Sequence, residues 1–272
     1  MDSKLNIENY HRGFRFYSLS VVISWIFWFL AAWISHAAPS ASMGVSSLGL
    51  LGLVAPFIVA LFLILPDKEM KKDFTSRIYN LSGIPAKYLV VTILIMPISI
   101  LLAQAISLFF GYGIEQFQLR GGFTFTSGVF PVWFMLITAP LMEELAWHSY
   151  GTDCMRNRFN LLNTSLIFAL FWGIWHLPLS FIKDYYHSNL LETGLIYNLN
   201  FFFSLFPFVI IMNWIYYRSN RNILLTILFH ISAGYFNEIF LTHPMSKVIQ
   251  TGLLTLFSIY LVINNNSFFI KY

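Results

Sequence analysis

The chain has 272 residues, of which 57% are hydrophobic, 19% aromatic and only 10% charged, and its mean hydropathy is +0.67. A soluble domain carries about 25% charged residues, so this composition excludes an ordinary water-soluble globule. A single cysteine, Cys154, excludes an intrachain disulfide. The net charge of +4 comes from basic residues set between apolar runs, which is a topology pattern rather than a nucleic-acid surface.

Apolar runs at about 15–37, 46–66, 88–111, 128–147, 161–181, 200–217, 222–241 and 247–263 predict an all-α polytopic membrane protein. The expected architecture is a bundle of about eight transmembrane helices forming a single domain over residues 1–272. Pro56, Pro97, Pro140 and Pro207 fall inside runs, but neighbouring helices in a membrane re-satisfy the carbonyls they free. Small residues follow the first run, as after a signal peptide. Its apolar stretch is longer than the usual core of about 7–15 residues, so it is read as an uncleaved span. Segment 67–86 is basic, with Phe74, Ile78 and Leu81 at helical spacing. It fits either a short helix on the inner membrane face or an ordinary cytoplasmic loop. The N-terminal tail, the loops after the second, fourth and sixth runs, and the C-terminal tail hold 13 of the 16 Lys and Arg residues. The opposite loops hold only Arg120, Lys183 and Lys247. By the positive-inside rule both termini are cytoplasmic, and the cell membrane is the expected location.

Ionisable residues inside these runs are functional candidates, because a charge near the bilayer centre costs at least ~2.5–3.5 kcal/mol. Glu143 and Glu144 lie at the inner end of the fourth run, in PLMEELAWHSYG; His176 lies in FWGIWHLP and His230 in ILLTILFHISAG. Two adjacent carboxylates in a low dielectric do not both ionise easily, which leaves one able to take a proton from water. His148 is four residues after Glu144 and shares its helix face. His11, His36, His187 and His243 lie in tails or loops and read as interfacial, as does Glu238 near the outer end of the seventh run. Cys154 has no convincing local base and does not read as a nucleophile.

These motifs resemble the CPBP family, the CAAX protease and bacteriocin-processing membrane proteins that include type II CAAX prenyl endopeptidases. That family carries Glu-Glu-x-x-x-Arg, then an aromatic residue four before a histidine, then His-x-x-x-Asn. The matching residues are Glu143-Glu144, Trp172 with His176, and His230; the resemblance covers about 128–240. It implies an intramembrane endopeptidase without a cofactor. Glu143 and His176 would activate water, His230 would stabilise the oxyanion, and Glu144 would support them. The implied substrate is a peptide or membrane protein in the lipid bilayer, cut near the cytoplasmic interface.

Two positions depart from the pattern. His148 stands where the family has arginine, and Gly234 where it has asparagine; Asn237, almost two turns after His230, could serve from the same helix face. A zinc variant would use Glu143, His176 and His230 as ligands, although no HExxH pairing is present. A catalytically inactive bacteriocin-immunity or partner-binding protein is the alternative reading. A proton-relay transporter is a third, with no inverted repeat to favour it. Straight, centred helices would also leave Glu143 and His176 about ten residues apart in depth, or ~15 Å.

Overall fold

A computed structural model describes residues 7–38, 40–79 and 84–271, and these are almost entirely helical. Six helical segments are long and apolar enough to cross a membrane: 13–37, 42–64, 86–108, 161–181, 195–218 and 244–264. They comprise α1 (Gly13–Ala37), α2 (Ser42–Ile64), α4 (Ala86–Leu108), α7 (Leu161–Trp175) with the 3-10 turn that follows it, α9 (Leu195–Arg218) and α11 (Pro244–Asn264). The polytopic helical class is therefore borne out. The other two apolar runs form shorter helices, α5 (Val132–Ala146) and α10 (Ile223–Ile239), and these carry Glu143, Glu144 and His230. Short elements α3 (Lys68–Tyr79), α6 (Thr152–Arg156), α8 (Tyr186–Thr193) and α12 (Asn266–Ile270) complete the described helices.

Local chemistry marks the helix ends. Asn160 and Asn222 cap α7 and α10, accepting the backbone N–H groups of Asn163 and Leu225 at 2.8 and 3.0 Å. His243 caps α11 with Pro244 in its first turn. The prolines inside α2, α4, α5 and α9 leave those helices continuous. Helices α1 and α2 approach closely at Gly52. A Cβ there would lie 2.3 Å from the indole nitrogen of Trp28, which itself donates to Gly49 O. Helix α10 is the inner member of the bundle, packed on α4, α5 and α9.

Two boundaries differ from the sequence reading. Helix α5 does not stop at 147. It passes through a π turn, Trp147–Gly151, into α6, so Glu143 and Glu144 lie near the middle of a continuous helical run. Helix α7 stops early, at Trp175. His176 is its C-cap and Leu177–Phe181 form a 3-10 turn, because Pro178 disfavours helical backbone at the preceding residue. The extension of α5 brings the glutamates to mid-helix, and Glu143 Oε2 lies 4.0 Å from His176 Nε2, so the expected depth mismatch is absent.

Segment 67–86 contains the helix α3, capped by Asp67, with Met70, Phe74 and Arg77 buried along one face; Leu81 lies outside the described residues. Helix α3 is thus tied into the protein through that buried face. Arg77 donates to the carbonyls of His148 and Ser149 in the π turn, at 2.9 and 2.8 Å, and to Asp153 Oδ2 at 3.0 Å. Tyr216 OH donates to the same His148 carbonyl at 2.6 Å. Arg221 bridges Asp153 and Asp73. Burial pushes the Asp153 carboxyl up, but Arg221 and Arg77 outweigh it and hold the group below the usual carboxylate range. Burial also pushes the neighbouring Cys154 thiol up to about 12, which keeps it protonated at neutral pH.

Removing Arg77 takes one of two arginines from the buried Asp153 carboxylate and a charged donor from the Ser149 and His148 carbonyls. Arg77→Leu is expected to destabilise the detergent-solubilised protein by about 3–5 kcal/mol, seen as a lower thermal-unfolding midpoint, whereas Lys72→Leu on the exposed side of α3 is expected to change little. Asp153 has a lowered folded-state pKa. Its contribution is complete above the unfolded value near ~3.9 and is lost as pH falls through the folded value. Unfolding midpoints measured from pH 6 downwards are expected to fall in acid, and Asp153→Asn is expected to flatten that limb of the profile.

Candidate active site

The mid-helix position of Glu143 and Glu144 points their side chains, about 100° apart, at different neighbours. Glu143 faces α7: its Oε2 accepts the indole N–H of Trp172 at 2.7 Å and lies 4.0 Å from His176 Nε2. His176 Nδ1 lies 2.7 Å from Trp172 O. A carbonyl only accepts, so Nδ1 carries the proton and the Nε2 lone pair is turned towards Glu143. Trp172 therefore holds both partners, one through its indole and one through its backbone.

Glu144 is fully buried and faces α10. Its Oε1 is 2.9 Å from His230 Nδ1, and its Oε2 is bonded to His148 Nδ1 one helical turn on. His148 Nε2 contacts Asn213 Oδ1 on α9 at 3.0 Å, and Asn213 Nδ2 donates to Ser165 Oγ on α7 at 2.9 Å. Trp172 stands edge-on to His230, with ring centres 5.3 Å apart, and so links the two glutamate clusters. The four candidates Glu143, Glu144, His176 and His230 thus converge, together with His148 and Trp172.

Glu143, Trp172, His176 and His230 line a cavity of about 290 Å³. It occupies the half of the bundle remote from the basic loops, bounded by Phe125 and by Tyr185 and Tyr186 before and within α8. The helix carrying the glutamates continues to Arg156, so they are not at its inner end. Asn237 lines the same cavity, but its amide donates to Ala233 O of its own helix at 2.9 Å. Ser232 points away, to Ile93 O.

Three polar residues have places that the sequence reading missed. His187 is not interfacial: it is buried, stacked on His176 with ring centres 5.1 Å apart, and among the described residues neither of its ring nitrogens has a hydrogen-bond partner. Glu238 is also buried rather than at the interface. Its Oε2 accepts from the backbone N–H and hydroxyl of Thr124, and its Oε1 lies 3.7 Å from Lys247 Nζ. Asn213 is the third, and a lone amide in the apolar run FPFVIIMNWIY is its signal in the sequence.

The Nδ1 of each histidine of the zinc set is engaged, by Trp172 O or Glu144, which leaves each Nε2 free, and Glu143 Oε2 is held by the indole. Among the described residues no group of three His, Cys, Asp or Glu side chains could hold a metal ion.

Residues 125–236 match the family described as type II CAAX prenyl endopeptidase, Rce1-like. The chain is also 36% identical over 269 residues to CAAX prenyl protease 2 of Methanococcus maripaludis, an alignment covering 97% of this chain and 98% of the relative. The matched region holds every residue of the two glutamate clusters, and the similarity extends over the whole helical bundle. The chain belongs to the Rce1-like family of type II CAAX prenyl endopeptidases, a family of intramembrane proteases.

Proposed function

We propose that the chain is an endopeptidase that hydrolyses peptide bonds of membrane-associated peptides or proteins with a water activated by Glu143 and His176. The observation that carries this reading is the 4.0 Å gap between Glu143 Oε2 and His176 Nε2, two proton acceptors facing each other at the wall of the cavity. That distance is too long for a direct hydrogen bond and suits one water bonded to both. As the water oxygen attacks the scissile carbonyl carbon, its proton passes to Glu143. The carbonyl oxygen becomes an oxyanion, which His230 stabilises through Nε2–H while its Nδ1–H stays on Glu144. When the C–N bond breaks, Glu143 returns the proton to the leaving amine. The name of the archaeal relative makes a prenylated CAAX peptide the first substrate class to test.

The basic loops support cytoplasmic termini in the cell membrane. With that orientation the cavity lies in the outer half of the bilayer, so the scissile bond is presented from the non-cytoplasmic side. Cysteines placed at exposed Lys183 and exposed Lys72, in a Cys154→Ser background, distinguish the two faces. In intact cells a membrane-impermeant maleimide is expected to label Lys183→Cys and not Lys72→Cys. The reverse pattern overturns this orientation.

Cleavage of quenched peptides, with and without a prenyl group, tests the chemistry in detergent. Glu143→Gln is expected to lower kcat by about 10²–10⁴-fold with a thermal midpoint near that of the wild type, and His230→Ala to lower it by about 10²–10³-fold with a lower midpoint, because Glu144 loses its Oε1 donor. A chelator is expected to have no effect; loss of cleavage on chelation overturns the metal-free mechanism. A folded wild type that cleaves nothing favours the immunity or partner-binding role, which the departures at His148 and Gly234 would then mark.

A further inference from the structure

We infer that Asn213 is a positioning residue for Glu144, acting through His148, and that the His148–Asn213 pair does in this chain what arginine does in the family pattern. The inference rests on the endopeptidase reading for its catalytic consequence and on hydrogen-bond direction for its geometry.

The direction is set from the far end of the chain of bonds. Ser165 Oγ lies 2.8 Å from Leu161 O, and a carbonyl only accepts, so the hydroxyl donates there. Asn213 Nδ2 then donates to Ser165 Oγ, and Asn213 Oδ1 is left facing His148 as an acceptor. His148 Nε2 must therefore carry a proton. On the other side of the ring, Nδ1 meets Glu144 Oε2, and Glu144 Oε1 already takes the N–H of His230. With both ring nitrogens on acceptors, His148 satisfies the network as an imidazolium donating at each end, and Glu144 as a carboxylate.

Tyr216 of α9 and Phe168 of α7 flank the ring, with ring centres 4.7 and 6.4 Å away and planes steeply inclined to it. His148, Asn213, Ser165 and Glu144 are all fully buried, so water does not substitute for a missing partner. An arginine would bring a permanent charge and several donors in one plane. A histidine offers two donors only while its second nitrogen has an acceptor, and Asn213 Oδ1 is that acceptor. Removing it frees the imidazole to lose its Nε2 proton or to rotate, and Glu144 then loses its grip on the ring of His230. The expected catalytic signature is a fall in kcat with little change in KM, because substrate contacts lie on the cavity side.

The test has two readouts. In the peptide assay, Asn213→Ala is expected to lower kcat about ten- to a hundredfold with KM unchanged, the range for one hydrogen bond to a charged group. Adding His148→Arg to Asn213→Ala is expected to restore most of that loss, since guanidinium needs no Asn213, whereas His148→Gln in the same background is expected to restore nothing. An unchanged kcat in a folded Asn213→Ala, or a folded double variant no better than Asn213→Ala, overturns the positioning role. Independently of activity, ¹⁵N-histidine NMR on wild-type protein, with the His148 signal assigned by its absence in His148→Gln, is expected to show both of its ring nitrogens protonated. A lone-pair nitrogen at His148 overturns the inferred hydrogen-bond direction whether or not cleavage is found. Protonated nitrogens in a wild type that cleaves nothing leave the geometry standing and overturn the endopeptidase reading on which the catalytic part rests.

Discussion

Everything in this bundle is arranged around the cost of keeping Glu144 inside it. A carboxylate removed from water is tolerated only where neighbours supply the hydrogen bonds and charge that water provided. Glu144 is fully buried, and its partners come from its own helix and from α10, with α9 and α7 holding the partner on its own helix. Four helices are thus tied to one another by a single acidic group. In a membrane, where apolar surfaces gain little from pairing, such polar ties carry much of the specificity of helix association.

Glu143 is treated differently. It has one firm donor, the Trp172 indole, and a histidine nitrogen at a distance that leaves room for a third party. The adjacent glutamates therefore divide their labour by environment rather than by identity: one is saturated and positional, the other under-saturated and facing the cavity. His148 joins this site to the basic face of the protein. Its side chain serves Glu144 while its carbonyl, in the π turn, is taken by Arg77 and Tyr216. The π turn lets the helix present both groups, and π turns recur at functional sites. Helix α3, outside the apolar runs, is thereby pinned to the backbone that aims Glu144.

Most of the site was legible because ionisable residues are conspicuous in apolar runs. Glu143, Glu144, His176 and His230 stood out on energetic grounds, and His148 followed from its four-residue spacing to Glu144. Trp172 came from the family pattern, and only the folded chain gave it two jobs, as donor to Glu143 and as backbone partner of His176. His187 and Glu238 were misread as interfacial because they sit near span ends, where polar groups usually reach water. The segments around α8 and Thr124 fold back over the cavity and bury them. Charge alone does not distinguish a solvated arginine from one that caps carbonyls inside the fold, so Arg77 is not separable in the sequence from the basic residues that set topology.

The sequence by itself determined that the chain is a helical membrane protein, which segments are apolar, where its basic loops lie and which few ionisable groups are too costly to be incidental. Those properties are sums over local composition and need no knowledge of neighbours. Tertiary structure decided the depth of the glutamates, the division of roles between them, the pairing of His148 with Asn213 and the side of the bundle on which the cavity lies. Each of these depends on where a helix actually ends and on which residue from a distant segment meets it. The π turn after Ala146 and the early stop of α7 before Pro178 are small local departures that shift whole side chains by turns of helix. Periodicity in a sequence cannot register such shifts, because they are settled by the partners that satisfy buried polar groups.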